Sequence, residues 1–147
     1  MTRKRWLRVA IIVCVELGVL LWPFSYLSSP RWEVLVVDKE GKPRVGANVR
    51  LEYTNYSAEN ASHELTLQTD ENGRVEFPDT QGRANLMARA FHTALAARKG
   101  IHASFGRHAS VFVFGNDGEY EGSAVENGYD VDWQGSPRSM RSRIVVR

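Results

Sequence analysis

The sequence predicts a mainly β protein: a β-sandwich carrying one inserted α-helix over about residues 84–98, preceded by an N-terminal transmembrane helix. Three observations carry this. Short segments between residues 32 and 78 alternate apolar and polar residues with the period of two that a strand requires. Residues 84–98 repeat apolar side chains at helical spacing. Residues 6–24 form an apolar run with four cations before or at its start.

The N-terminal run, WLRVAIIVCVELGVLLWPF, would make a helix of about 28 Å, close to the roughly 30 Å hydrocarbon core. Arg3, Lys4, Arg5 and Arg8 lie at its start and only Arg31 follows closely, so the positive-inside bias places the N-terminus in the cytoplasm. The reading that follows is a basic tail at 1–5, an anchor at 6–24, a linker at 25–31 and an extracytoplasmic domain at 32–147. The chain is then expected to be single-pass in the inner membrane with a periplasmic domain. A cleaved signal peptide is the competing reading, but Tyr26 and Pro30 spoil the cleavage sites at Ser28 and Ser29. Glu16 is costly within a span, and either a tolerant anchor or a hydrogen bond to another membrane helix across Gly18 accommodates it.

Composition narrows the function. Residues 31–147 hold 15 basic and 16 acidic groups, a balance of −1, so a nucleic-acid surface has no clustered basic footprint. Cys14 is the only cysteine, and no intramolecular disulfide forms.

Within the domain, WEVLVVD at 32–38 reads as a strand covered on both sides, and KEGKP supplies turn chemistry. NVRLEYT at 48–54 directs Val49, Leu51 and Tyr53 to one face. Leu65 and Leu67 alternate over 64–69, and Val75 and Phe77 over 74–78. DENG at 70–73 joins the last two. Asp70, Asn72 and Gly73 resemble the opening of a calcium loop, but such a loop needs oxygen ligands across twelve positions and a closing glutamate. Arg74, Val75, Glu76, Phe77 and Pro78 follow instead, so a tight hairpin turn is expected, with Gly73 at positive φ.

DKEGKPRVGANVRLEY, followed by TDENGRVEFP, resembles the carboxypeptidase regulatory-like domains, a transthyretin-like group of small β-sandwiches. Gly41, Pro43, Gly46, Ala47, Val49 and Leu51, then Thr69, Asp70, Gly73 and Phe77, carry the similarity over residues 32–78. The resemblance implies a transthyretin-like or Ig-like sandwich acting as an accessory, mostly non-catalytic module outside the cytoplasm. Transthyretin-like hydroxyisourate hydrolases end in a Tyr-Arg-Gly-Ser-type tetrapeptide and carry a histidine in the first strand. This chain ends RIVVR and has no histidine at 32–38, so that hydrolase activity is not expected.

After Pro78 the sequence departs from that pattern. Leu86, Met87, Ala90, Phe91, Ala94 and Leu95 share one helical stripe, Arg98 and Lys99 suit the C-terminal end of the dipole, and Gly100 suits the position beyond it. That stripe is expected to pack on the sandwich. Strand character returns at 109–115, NDG at 116–118 marks a turn, and SRIVVR closes the fold.

His63, His92, His102 and His108 are the candidates for chemistry. His102 and His108 are the weak metal candidates, six residues apart around Gly106, with no cysteine beside them to complete a zinc set. Phe105, Phe112, Phe114, Tyr120, Tyr129 and Trp133 either line a ligand groove or fill the core. Sequons occur at Asn55 and Asn60. No phosphate loop, HExxH or nucleophile elbow is present. The expected function is a membrane-anchored, non-catalytic interaction or structural module of the cell envelope with an envelope partner and no cofactor. The alternative is a small-ligand- or metal-binding protein, and a hydrolase comes third.

Overall fold

A computed structural model describes residues 3–115, 118–123 and 133–146. The first element is a helix, α1, Arg3–Leu21. It overturns the predicted transmembrane span, because no helix among the described residues is long and apolar enough to cross a membrane. The physical reason lies in where α1 begins and ends. Arg3, Lys4, Arg5 and Arg8 occupy its first turns, leaving residues 9–21 as the apolar part, about 20 Å long against about 30 Å needed. Glu16 interrupts even that stretch. Pro23 disfavours helical geometry at Trp22, so the helix stops there. The single-pass inner-membrane placement and the periplasmic domain rested on that span and fall with it.

The chain then enters a strand where the sequence suggested a linker: β1, Phe24–Ser29, pairs antiparallel with β6, Thr80–Ala84. The remaining strands are β2 (Arg31–Val37), β3 (Asn48–Asn55), β4 (His63–Gln68), β5 (Arg74–Phe77), β7 (Arg107–Phe114), β8 (Tyr120–Ser123) and β9 (Ser139–Val145). They form a three-stranded sheet, β5-β2-β9, and a four-stranded sheet, β4-β3-β7-β8. Strands β2 and β9 run parallel, from Arg31 opposite Ser139 to Val37 opposite Val145.

The two sheets meet through the faces that alternation predicts. Trp32, Val34, Val36, Phe77 and Ile144 from one meet Val49, Leu51, Val111 and Val113 from the other, all buried. Such side chains each contribute about 1.5–3 kcal/mol by burial, which makes this interface the principal source of stability. Trp32 keeps its polar atom satisfied by donating from Nε1 to Ser142 Oγ at 2.9 Å. Outside, Glu33 sits between Arg74 (2.9 Å) and Arg141 (3.1 Å), and Arg31 pairs with Glu76.

DENG is a turn, but it does not close a hairpin. Strands β4 and β5 belong to different sheets, so residues 69–73 form a corner of the sandwich. Asp70 Oδ1 accepts the backbone N–H groups of Asn72 and Arg74, both at 2.8 Å, and Gly73 has φ +71°. These bonds hold the Asp70 carboxyl below its usual range, the Arg74 N–H being the main cause.

The inserted helix exists as α2, Leu86–Ala97, capped by Asn85, whose Oδ1 accepts the Ala88 N–H at 2.7 Å. Its orientation corrects the expectation. Met87 is 53% exposed and Phe91 61%, whereas Ala96 is buried and Ala88, His92 and Leu95 are half-buried. Small side chains at 88 and 96 give the covered face, and the larger part of the apolar stripe faces outward. Gly100 opens a 3-10 turn, Gly100–His102, instead of capping the helix. Of the predicted turn at 116–118, Asn116 and Asp117 lie outside the described residues.

Candidate functional site

A polar cleft of about 720 Å³ lies where β1, the residues after β3, α2, the start of β7 and the segment at 134–138 converge. Three arginines line it: Arg89 from α2, Arg107 from the first position of β7, and Arg138 just before β9. None of the three has a carboxylate partner among the described residues, although six ion pairs form elsewhere.

Arg107 is held in place on several sides. Its Nη1 donates to the Leu27 carbonyl at 3.3 Å, and its guanidinium carbon stands 5.6 Å from the centre of the Trp133 ring. Trp133 is buried, exchanges both backbone hydrogen bonds with Ala109 at 3.0 Å, and donates from Nε1 to the Pro137 carbonyl at 2.6 Å. These bonds fix the 134–138 segment against β7. Gly135 then closes on Arg107: a Cβ there would lie 2.8 Å from Arg107 Nη2. The guanidinium is therefore pre-positioned by packing.

Hydroxyl and amide groups form the other wall. Ser57 Oγ accepts the Gly106 N–H at 2.9 Å, and buried Asn55 accepts the Ser57 N–H at 3.2 Å. Tyr26 lines this wall together with Asn55 and Ser57. Burial pushes the Tyr26 phenol up, and the Glu59 charge adds to the effect. Tyr26 reaches this position because its partner across the β1–β6 pair is Gly82, where a Cβ would stand 2.5 Å from Tyr26 Cζ.

Chemically, the cleft offers one fixed cationic donor, Arg107, with Arg89 and Arg138 beside it and neutral donors opposite, a set that suits oxyanions such as carboxylate or phosphate. The predicted site residues are elsewhere. His102 is exposed on its 3-10 turn, and His108 Nε2 bonds with the Phe105 carbonyl at 2.9 Å. His63 pairs with Glu59 at 2.8 Å, and no hydrogen bond to His92 Nδ1 is found among the described residues. No three metal-ligating side chains converge among the described residues. Of the aromatics, Trp133 is core, Phe105 is exposed, and Phe112 and Phe114 are half-buried on the outer face of the four-stranded sheet. Tyr120 pairs in register with Phe114, and Tyr129 lies outside the described residues. Asn55 of the first sequon is 3% exposed, whereas Asn60 is exposed. The sequence did carry a signal for two of the arginines, Arg89 and Arg107: residues 80–116 hold five basic residues and no carboxylate.

Fold and cleft together define a two-layer β-sandwich with a cation-lined cleft at one end. No protein-family model and no curated protein matches the sequence. Among solved structures, the chain is similar to an alternative pilotin from the type II secretion system of Vibrio cholerae, at 13% identity and TM-score 0.39. That match covers 86% of this chain and 98% of the pilotin. It is also similar to a 3-chlorocatechol 1,2-dioxygenase from Rhodococcus opacus 1CP (17% identity, TM-score 0.38, 82% of this chain and 62% of that one). A catechol 1,2-dioxygenase from Acinetobacter radioresistens follows (15%, 0.38, 82% and 53%). Likenesses at this level carry no functional argument.

Proposed function

We propose that this chain is a non-catalytic binding module whose cleft holds an anionic group of a ligand or partner. One observation carries the reading: Arg89, Arg107 and Arg138 line a single polar cleft, and none of them forms an ion pair among the described residues. Guanidinium groups without an ion pair among the described residues favour an incoming oxyanion, since charge-assisted bonds are roughly twice as strong as neutral ones. The resemblance of residues 32–78 to carboxypeptidase regulatory-like domains, an accessory and mostly non-catalytic group, supports the same reading.

The test is thermal denaturation of the full chain with inorganic phosphate and with glutarate, against sodium chloride at matched ionic strength. A ligand that binds the folded state alone raises Tm with concentration. The expected result is a saturable rise with at least one oxyanion, lost in Arg107→Gln. A rise equal to that in chloride, or one retained in Arg107→Gln, overturns the reading.

A further inference from the structure

A second concavity lies on the outer face of the four-stranded sheet, formed chiefly by β3, β7 and the residues that follow β3. We infer that this groove, of about 350 Å³, binds an alkylammonium cation, with Glu52 as counter-ion and Tyr56, His108 and Phe112 as aromatic walls. The groove shares no lining residue with the arginine cleft.

Strand register places the groups. Val49 and Leu51 point into the core, so Arg50 and Glu52 lie on the outer face. Glu52 stands opposite Ser110 on β7 and opposite Glu64 on β4, while Arg50 stands opposite Phe112. Two carboxylates directly across a strand pair repel one another. Arg50 relieves only one of them: its Nη1 pairs with Glu64 at 3.2 Å, and its guanidinium carbon lies over the Phe114 ring at 4.8 Å. Half-buried Glu52 is left without a cation among the described residues.

The walls set the class of cation. Phe112 is half-buried diagonally across from Glu52, and the Tyr56 and His108 rings meet edge to face at 5.3 Å. His108 Nε2 is bonded with the Phe105 carbonyl, which fixes that ring. Aromatic walls with one carboxylate attract a bulky, weakly hydrated organic cation through ring quadrupole and charge together. A divalent metal would need several oxygen or nitrogen ligands, which the groove does not converge.

The experiment titrates the full chain with trimethyl(2-hydroxyethyl)ammonium and with its uncharged isostere 3,3-dimethylbutan-1-ol, followed by NMR. Saturable binding of the cation is expected, with the neutral isostere weaker by about tenfold or more, a difference of about 1.4 kcal/mol. Glu52→Gln and Phe112→Leu should each weaken the cation by about tenfold. Glu52→Gln keeps the shape and removes the repulsion with Glu64, so its fold survives and its result stays interpretable. Failure to saturate, equal binding of the two isosteres, or full binding by folded Glu52→Gln overturns the inference.

Discussion

The Gly73 carbonyl accepts the Val36 N–H at 2.8 Å, while a Cβ on Gly73 would stand 2.6 Å from the Val36 carbonyl oxygen. The corner between the two sheets thus lies against the backbone of the central core strand, and Pro43 and Arg44 crowd the same point. Gly73→Ala therefore meets both positive φ and backbone that cannot yield. Urea denaturation should show a loss of about 2–4 kcal/mol. A loss below about 1 kcal/mol would mean that the corner relaxes.

Asp70 caps the same corner and should govern part of the acid response. A carboxylate whose folded pKa lies below its unfolded value stabilises the fold above the unfolded pKa, and that contribution fades as pH falls toward the folded value. For Asp70 the window runs from about pH 4 downward. Asp70→Asn should lower the urea midpoint at neutral pH and narrow the gap from wild type as pH drops through that window. Glu76, lowered by Arg31, keeps some acid sensitivity in the variant. Parallel pH profiles for the two proteins would contradict this.

Helix α2 yields an inverted pair of outcomes. Phe91→Asp, at an exposed position, should change stability by less than about 1 kcal/mol. Ala96→Asp buries a charge and should cost several times more. The pair is read by circular dichroism melts, and the reverse ranking would return the stripe at Met87 and Phe91 to the interior.

The cleft has a structural test as well as a charge test. Gly135→Ala would press a methyl group into the Arg107 guanidinium, at a residue whose φ is +91°. Oxyanion affinity should fall by about tenfold, as expected for losing a charge-assisted hydrogen bond. The neutral far wall, probed by Ser57→Ala, should matter less. Calorimetric titration compares them, and unchanged affinity in folded Gly135→Ala would mean that Arg107 does not contact the anion.

Trp32 and Ser142 form a pair suited to a double-mutant cycle. Ser142→Ala orphans the buried indole N–H and should cost about 1–3 kcal/mol. In the Trp32→Phe background the same change should cost much less. Additive effects would mean that the bond contributes nothing.

Strands β2, β3, β4 and β5 were legible because their alternation is local: Val49 and Leu51 declare a buried face within three residues. Strand β1 was not, since Phe24 closes an apolar run and SYLSSP reads as a link; its pairing depends on Gly82 making room for Tyr26. The same non-local cause hid the site. Arg89, Arg107 and Arg138 are unremarkable singly, and only the Trp133–Ala109 bridge and the course of α2 bring them together. Histidines drew attention by type, which says nothing of where a side chain ends up. The face of α2 was misjudged because its largest apolar residues suggested the interior, while alanines made the contact.

The parallel β2–β9 pairing also governs the order of folding. The Trp32–Ser142 bond joins positions 110 residues apart, so the central sheet cannot close until the last strand arrives. Loops of that length slow folding far more than they weaken the folded state. Until then β2 presents the open edge of an apolar strand, a ready template for pairing with another chain. The vulnerable species is thus the unfinished molecule, and the strand that completes it also shields it from aggregation.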